Sequence, residues 1–172
     1  MNFHTDLESV VCHITCDSKQ QAINEVIDEC AVFTCLADIK QFKAAVMTRE
    51  LLESTGIGHG IAIAHGKVPG LNRVIIGLGL SVDGISYDAA DNEPVHFLFV
   101  IASSPTRQLE YIRTLSTLLR SVSSPQVRSE LLLLDKRLQD TKHMSPQSDT
   151  LLQMLVDQHF SGYGTPLIKT LF

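Results

Sequence analysis

The chain has 172 residues, of which 44% are hydrophobic and 19% charged, and its formal net charge is −5. These values favour one globular domain with a core large enough to need no disulfide or metal. The acidic balance and the lack of a basic cluster exclude a general nucleic-acid binder. No apolar stretch approaches the ~20 residues of a membrane span, and no signal-peptide pattern opens the chain, so we expect a cytoplasmic protein without a membrane span.

Helical spacing of apolar residues predicts two helices near the start, over residues 19–30 and 39–52. Asp38 stands directly before the second helix, where an aspartate stabilises the first turn. Three glycines, at positions 56, 58 and 60, are expected to end that helix in a turn. The first part of the chain is therefore predicted to be mainly helical.

Apolar runs in the middle of the chain predict three strands, over residues 61–64, 72–80 and 95–102. The second is expected to continue through a turn at residues 84–86. Helices then return, and the first of them is expected to bury one apolar face made of Leu109, Ile112, Leu115 and Leu119.

Beyond that helix, the proline at position 125 predicts the start of another, which would run to about residue 138. A polar loop is expected over residues 139–148, followed by a last helix over 149–159. The remaining residues, 161–172, contain two glycines and a proline and are expected to form a C-terminal tail.

Four cysteines lie at positions 12, 16, 30 and 35. Their closeness to His13 favours a zinc site as one interpretation, but the spacings match no standard zinc knuckle. Cys30 and Cys35 lie within apolar stretches, which favours reduced thiols buried in the core. We therefore predict no metal and no cofactor.

Residues 49–66 have the sequence RELLESTGIGHGIAIAHG. A helical stretch leads into a glycine-rich turn, and the short apolar segment that follows ends on His65. This places an imidazole at a strand end, beside backbone that glycine allows a bulky anion to approach. The string resembles the active-site signature of the type-2 (fructose/mannitol-type) IIA proteins of the bacterial phosphotransferase system, a family with a nitrogen-regulatory branch.

The resemblance extends over residues 7–159, because further blocks follow in the family's order. It implies an α/β fold with a mixed sheet of about five strands flanked by helices on both faces. One IIA domain would occupy residues 1–160. Two positions depart from the pattern: Ala64 stands where the family usually has proline, and Tyr111 where it usually has a second active-site histidine.

The resemblance also implies roles for particular residues. His65 would accept the phosphoryl group, and Arg49 would stabilise the charge that develops on it. Tyr111 would either face the phosphoryl site or serve packing alone. Phosphate-binding positions implied by the same signature are Ser54, Thr55 and Gly66, although the two hydroxyls can also cap the turn.

The implied function is a regulatory phosphocarrier, which takes a phosphoryl group from a phosphorylated HPr-type carrier and signals to a target protein by its phosphorylation state. Loss of the second histidine favours this signalling role over fast onward transfer. Two alternatives stay open. The chain could be a sugar-specific IIA that passes the group to a IIB partner, or a phosphorylation-deficient regulatory module in which His65 is unused.

Overall fold

A computed structural model describes residues 10–140 of the chain, and the strands among them form one mixed sheet. The strands are β1 (Val11–His13), β2 (Gly56–Gly58), β3 (Ile61–Lys67), β4 (Ile75–Ile85) and β5 (Val95–Ser103). Their spatial order is β1-β4-β5-β3-β2. The pairs β1–β4 and β3–β5 are parallel, whereas β4–β5 and β2–β3 are antiparallel. The predicted mixed sheet of five strands is confirmed.

Helices cover both faces of this sheet, as expected. They are α1 (Lys19–Glu29), α2 (Ile39–Leu52), α3 (Gln108–Val122) and α4 (Pro125–Asp140). The predicted bounds of α2 are confirmed, and its first turn is capped by Asp38, whose side chain accepts a hydrogen bond from the Gln41 amide. The polar loop was predicted to begin at residue 139, but residues 139 and 140 still belong to α4.

Two apolar cores lie on opposite faces of the sheet. The first contains buried residues of α1 and α2, and the second contains buried residues of α3 and α4. β3 contributes alternately to the two: Ala62 and Ala64 belong to the first core, Ile61 and Ile63 to the second. On β3, small residues therefore face the first core and large residues face the second.

The buried face of α3 differs from the predicted one. Leu109 is 61% exposed and Ile112 49% exposed, although both were expected in the core. The apolar residues that α3 buries are instead Tyr111, Leu118 and Val122. Leu115 and Leu119 pack partly against the second core, so they lie between the predicted apolar face of α3 and the observed one. The sequence contains two overlapping apolar stripes, and packing against the sheet selects the one that includes the tyrosine.

The glycine-rich segment after α2 was expected to form a turn; residues 59 and 60 do so, but the prediction missed the strand that precedes them. Gly56–Gly58 forms the edge strand β2, which makes a tight hairpin with β3. Gly58, His59 and Gly60 all have positive φ angles, 93°, 57° and 76°. Glycine adopts such angles without strain, which explains its use on both sides of His59.

The cysteines only partly follow the expectation of buried thiols. Cys30 is buried, but Cys35 is exposed and the other two are half-buried. Within residues 10–140, no group of three or more histidine, cysteine, aspartate or glutamate side chains is arranged to hold a metal ion. None of the helices in that part of the chain is long and apolar enough to cross a membrane. The predicted helix over 149–159 and the tail over 161–172 lie outside the described residues.

Candidate functional site

His65 lies near the end of β3, beyond the part of the strand that pairs with β2. The register of that hairpin ends at Ala62, whereas on the other side His65 remains paired with Ile101 of β5. Alternation along the strand turns the imidazole towards the second core, the side covered by α3. The backbone of His65 is therefore held by β5 on one side, whereas β2 does not pair with it on the other side.

The imidazole is oriented by a hydrogen bond to its own strand. Nδ1 of His65 lies 3.0 Å from the carbonyl oxygen of Ile63. Because a carbonyl oxygen can only accept, Nδ1 carries the proton in this contact. The neutral ring then bears its free lone pair on Nε2, the nitrogen on the opposite side of the ring.

Several effects determine the charge of His65. Burial lowers the pKa of the imidazole from its ordinary value of 6.5, while the hydrogen bond to Ile63 opposes this shift. The positive charges of Arg49 and Lys67 lower the pKa further. A lowered pKa keeps the imidazole neutral at pH 7, which is the protonation state a nucleophile requires.

Tyr111, from the first half of α3, packs beside the imidazole. The centroids of the two rings are 5.8 Å apart, and their planes are inclined by 44°. Tyr111 is 9% exposed, and burial raises the pKa of its hydroxyl, so the phenol stays protonated. The residue thus packs in the second core and also borders His65, while a role for its hydroxyl at the phosphoryl site stays a prediction.

Arg49 reaches the same region from the last turn of α2. Its Nη1 donates a hydrogen bond of 3.0 Å to the carbonyl of Glu53, one residue beyond the helix. Its charge lowers the pKa of both His65 and Tyr111, which means that the guanidinium lies within electrostatic reach of both rings. The structure therefore brings together the predicted acceptor, the predicted cation and the tyrosine.

The hydroxyls of Ser54 and Thr55 have partners within their own loop. Ser54 donates to the carbonyl of Tyr87 at 3.1 Å and accepts from the Gly56 amide at 3.3 Å. Thr55 donates through both its amide and its hydroxyl to the carboxylate of Glu50. These contacts correspond to the turn-capping alternative, and a phosphate-binding role for either residue stays a prediction.

Two small residues flank His65 and face the first core. A Cβ added to Gly66 would lie 2.9 Å from a methyl group of Val46 and 3.2 Å from its backbone nitrogen. Gly66 therefore allows α2 to pack directly against β3. Ala64 is fully buried and paired with Val100, so the strand ladder holds the backbone where the family's proline is missing.

Lys67 is a site residue that the sequence analysis missed. It lies two residues after His65 and so on the same face of β3. Its Nζ donates to Ser103 Oγ at 3.0 Å and to Gln108 Oε1 at 3.1 Å, and it lies 4.6 Å from the centroid of the Tyr111 ring. The spacing of two residues from His65 was the available signal.

Glu50 is the second residue that was missed. Its carboxylate is buried, with 7% of the residue exposed, and it accepts hydrogen bonds from both donors of Thr55. Lys19 Nζ lies 3.3 Å from one carboxylate oxygen, and the Tyr87 hydroxyl lies 3.4 Å from the other. The buried carboxylate thereby fixes the loop between Arg49 and β2, and its place beside Arg49 in the sequence was the only hint.

The arrangement of His65, Arg49 and Lys67 is well suited to phosphoryl transfer. It presents a neutral imidazole with a free Nε2, and it places two cations where they act on that imidazole. In phosphoryl transfer, negative charge is spread over the oxygens of the moving group, so positioned cations and a fixed nucleophile are what catalysis needs.

Comparison with known proteins identifies relatives of this chain. A family model described as "Phosphoenolpyruvate-dependent sugar phosphotransferase system, EIIA 2" matches residues 3–137. A fructose-specific EIIABC component of Bacillus subtilis is 32% identical over 124 residues, which are 72% of this chain but only 20% of that protein. A nitrogen regulatory protein of Escherichia coli is 32% identical over 115 residues, which are 66% of this chain and 70% of the relative.

The fold is likewise similar to solved structures. The nitrogen regulatory protein IIA-Ntr of Neisseria meningitidis superimposes with a TM-score of 0.68, covering 86% of this chain and 93% of the other. The two chains are 21% identical, so this likeness bears on the fold alone.

Proposed function

Because the chain belongs to the type-2 EIIA family of the phosphoenolpyruvate-dependent sugar phosphotransferase system, we propose that it is a phosphocarrier with His65 as the phosphoryl acceptor. The observation that carries this proposal is the hydrogen bond from Nδ1 of His65 to the carbonyl of Ile63, which leaves Nε2 free to attack. The donor is a phosphorylated HPr-type carrier, whose phosphohistidine is the class of substrate that the site accepts.

The transfer is a simple exchange between two imidazoles. The Nε2 lone pair of His65 attacks phosphorus as the bond between phosphorus and the donor's nitrogen breaks, and that bond's electron pair returns to the donor. The Nδ1 proton stays on His65, where Ile63 holds it. Arg49 offsets the negative charge on the phosphoryl oxygens during the exchange.

Within the family, we favour the nitrogen-regulatory branch, in which the phosphorylated or unphosphorylated chain regulates a target protein. Tyr111 supports this choice, because a phenol beside His65 cannot supply the positive charge of an imidazolium to drive the group onward. A sugar-specific IIA that delivers the group to a IIB partner is the second candidate. The chain is 32% identical both to a fructose-specific and to a nitrogen-regulatory relative, so sequence identity favours neither candidate.

The proposal is tested by incubating the protein with phosphoenolpyruvate, enzyme I and HPr and measuring its intact mass. The wild type should gain one phosphoryl group, and the His65→Ala variant should gain none while keeping its circular dichroism spectrum. His59→Asn is the matched control, because asparagine tolerates the positive φ at that exposed turn position. Labelling that persists in His65→Ala would contradict the assignment, and an unlabelled wild type would favour the phosphorylation-deficient module.

A second measurement separates the two branches. The phosphorylated protein is mixed with a purified IIB domain, and its phosphoryl content is followed over time. Retention of the group on His65 supports the regulatory role, whereas rapid and stoichiometric transfer to the IIB cysteine would favour the sugar-specific alternative.

A further inference from the structure

We propose that Lys67 is a phosphoryl-stabilising residue of the His65 site, a role that presupposes the proposed function. It would bind an oxygen of the phosphoryl group carried on Nε2. The site would then hold the group between two cations, Arg49 and Lys67, with the Tyr111 ring forming its wall.

The position of Lys67 supports this role. Lys67 leaves β3 on the same face as His65, and its ammonium group lies 4.6 Å from the centroid of the Tyr111 ring. That ring in turn lies 5.8 Å from the imidazole. Tyr111 is therefore in contact with both side chains, which places the ammonium and the imidazole beside the same aromatic surface.

The partners of Lys67 hold its ammonium without neutralising it. Nζ donates to Ser103 Oγ and to Gln108 Oε1, which are both uncharged oxygens. None of the five ion pairs found within residues 10–140 includes Lys67. A lysine held by neutral acceptors keeps its full charge for an incoming anion.

Lys67 would bind the phosphoryl group by exchanging its hydrogen bond to Gln108 for one to a phosphoryl oxygen. Gln108 lies at the exposed first position of α3, so its amide oxygen can be released to water at little cost. An oxygen of a dianionic phosphoryl group is a stronger acceptor than a neutral amide, because charge-assisted hydrogen bonds are about twice as strong as neutral ones. Ser103 is 1% exposed and would keep the lysine in place.

The chemistry of the transfer explains why a second cation is useful here. The phosphorus–nitrogen bond of the donor breaks, the bond to Nε2 of His65 forms, and the phosphoryl oxygens stay negative throughout. Tyr111 remains a neutral phenol, since burial raises the pKa of its hydroxyl. Lys67 therefore supplies positive charge on the Tyr111 side of His65, where the tyrosine itself is uncharged.

The test compares Lys67→Met with Lys67→Arg. Methionine keeps an unbranched apolar side chain over the tyrosine but removes the charge, and arginine restores the charge. Lys43→Met is the matched control, because Lys43 lies on α2 and pairs with Asp28 at 2.6 Å, away from the site. With phosphorylated HPr as the donor, Lys67→Met should be phosphorylated roughly 10-fold more slowly, the lower end expected for loss of one hydrogen bond to a charged group. The Lys67→Arg and Lys43→Met variants should retain most of the wild-type rate.

A titration that needs no phosphoryl donor distinguishes failure of this inference from failure of the proposed function. Lys67 lowers the pKa of His65 by its charge, so Lys67→Met should raise the midpoint of the His65 titration measured by NMR. An unchanged midpoint together with an unchanged phosphorylation rate would overturn the role of Lys67. A raised midpoint with a slower rate in a folded variant supports it.

A double variant separates a charge effect from a structural one. If Lys67 supplies missing charge, then Tyr111→His should recover more of the rate in the Lys67→Met background than it adds to the wild type. Equal factors in the two backgrounds would mean that Lys67 and the residue at position 111 act independently, and would contradict the proposal.

Discussion

The Tyr111 ring lies against the His65 ring, with 5.8 Å between the centroids. The two residues come from different layers of the fold, Tyr111 from α3 and His65 from strand β3 of the sheet. A buried phenol here closes one side of the imidazole without adding charge. Its effect on phosphoryl transfer should therefore depend on what replaces the ring.

Tyr111→His should accelerate transfer from phosphorylated His65 to a IIB acceptor, because an imidazolium can offset charge that a phenol cannot. Tyr111→Phe should change the rate of phosphorylation only slightly, since it keeps the ring that packs in the second core. Stopped-flow or quenched measurements of label transfer provide the comparison. A large loss of phosphorylation in Tyr111→Phe would show instead that the hydroxyl takes part.

Arg49→Lys should slow the phosphorylation of His65 on the order of 10²-fold, as loss of one positioned donor does in other transfer enzymes. Lysine keeps the charge but loses the planar fork that can bind two phosphoryl oxygens at once. Arg128→Lys is a suitable control, because Arg128 also donates to backbone carbonyls, those of Val122 and Ser123. Equal rates for the two variants would leave Arg49 with only its contact to Glu53.

The phosphorylation rate should be nearly constant above pH 6.5 and should fall as the pH decreases below it. The pKa of His65 is lowered from 6.5, chiefly by burial, so protonation begins only in more acidic solution. A protonated imidazole has no lone pair for attack, which gives the sign of the effect. NMR titration of His65 without the donor checks the midpoint independently, and a midpoint above 6.5 would contradict this expectation.

Glu50→Ala should lower the free energy of unfolding by about 3 kcal/mol, because it removes the buried carboxylate that accepts from the amide and hydroxyl of Thr55 and pairs with Lys19. Glu50→Gln should cost less, since an amide oxygen still accepts a hydrogen bond. Urea denaturation measures both variants. Glu53→Ala, three residues further along and exposed, should stay within about 0.5 kcal/mol of the wild type. A similar loss in Glu50→Ala and Glu53→Ala would rule out the buried network as the cause.

The sequence predicted elements best where local signals agreed. The bounds of α2 followed from its apolar spacing and from the cap at Asp38. β2 was missed because a strand of two glycines and one isoleucine has little strand preference of its own, and pairing with β3 supplies what the residues lack. The buried face of α3 was mistaken because local spacing allows two stripes and tertiary contacts decide between them.

The site residues also differ in how far the sequence could predict them. His65 and Arg49 were predicted from a contiguous segment, and the structure brings them into the same region. Lys67 and Glu50 were missed, because their importance depends on partners far away in the sequence. Gln108 and Ser103 hold Lys67, and Lys19 approaches Glu50 from another helix. No spacing rule within one segment reveals such contacts.

Arg49 and Tyr111 reach His65 from opposite layers, since α2 belongs to the first core and α3 to the second. The distance between the cation and the imidazole is therefore set by the thickness of a layer, and Gly66 keeps that layer thin. A substitution that enlarged a core residue under α2 would move the helix outward and carry the guanidinium with it. The phosphorylation rate of His65 would then depend on core packing under α2. Measured across a series of such variants, that rate would report changes in the separation between α2 and the sheet.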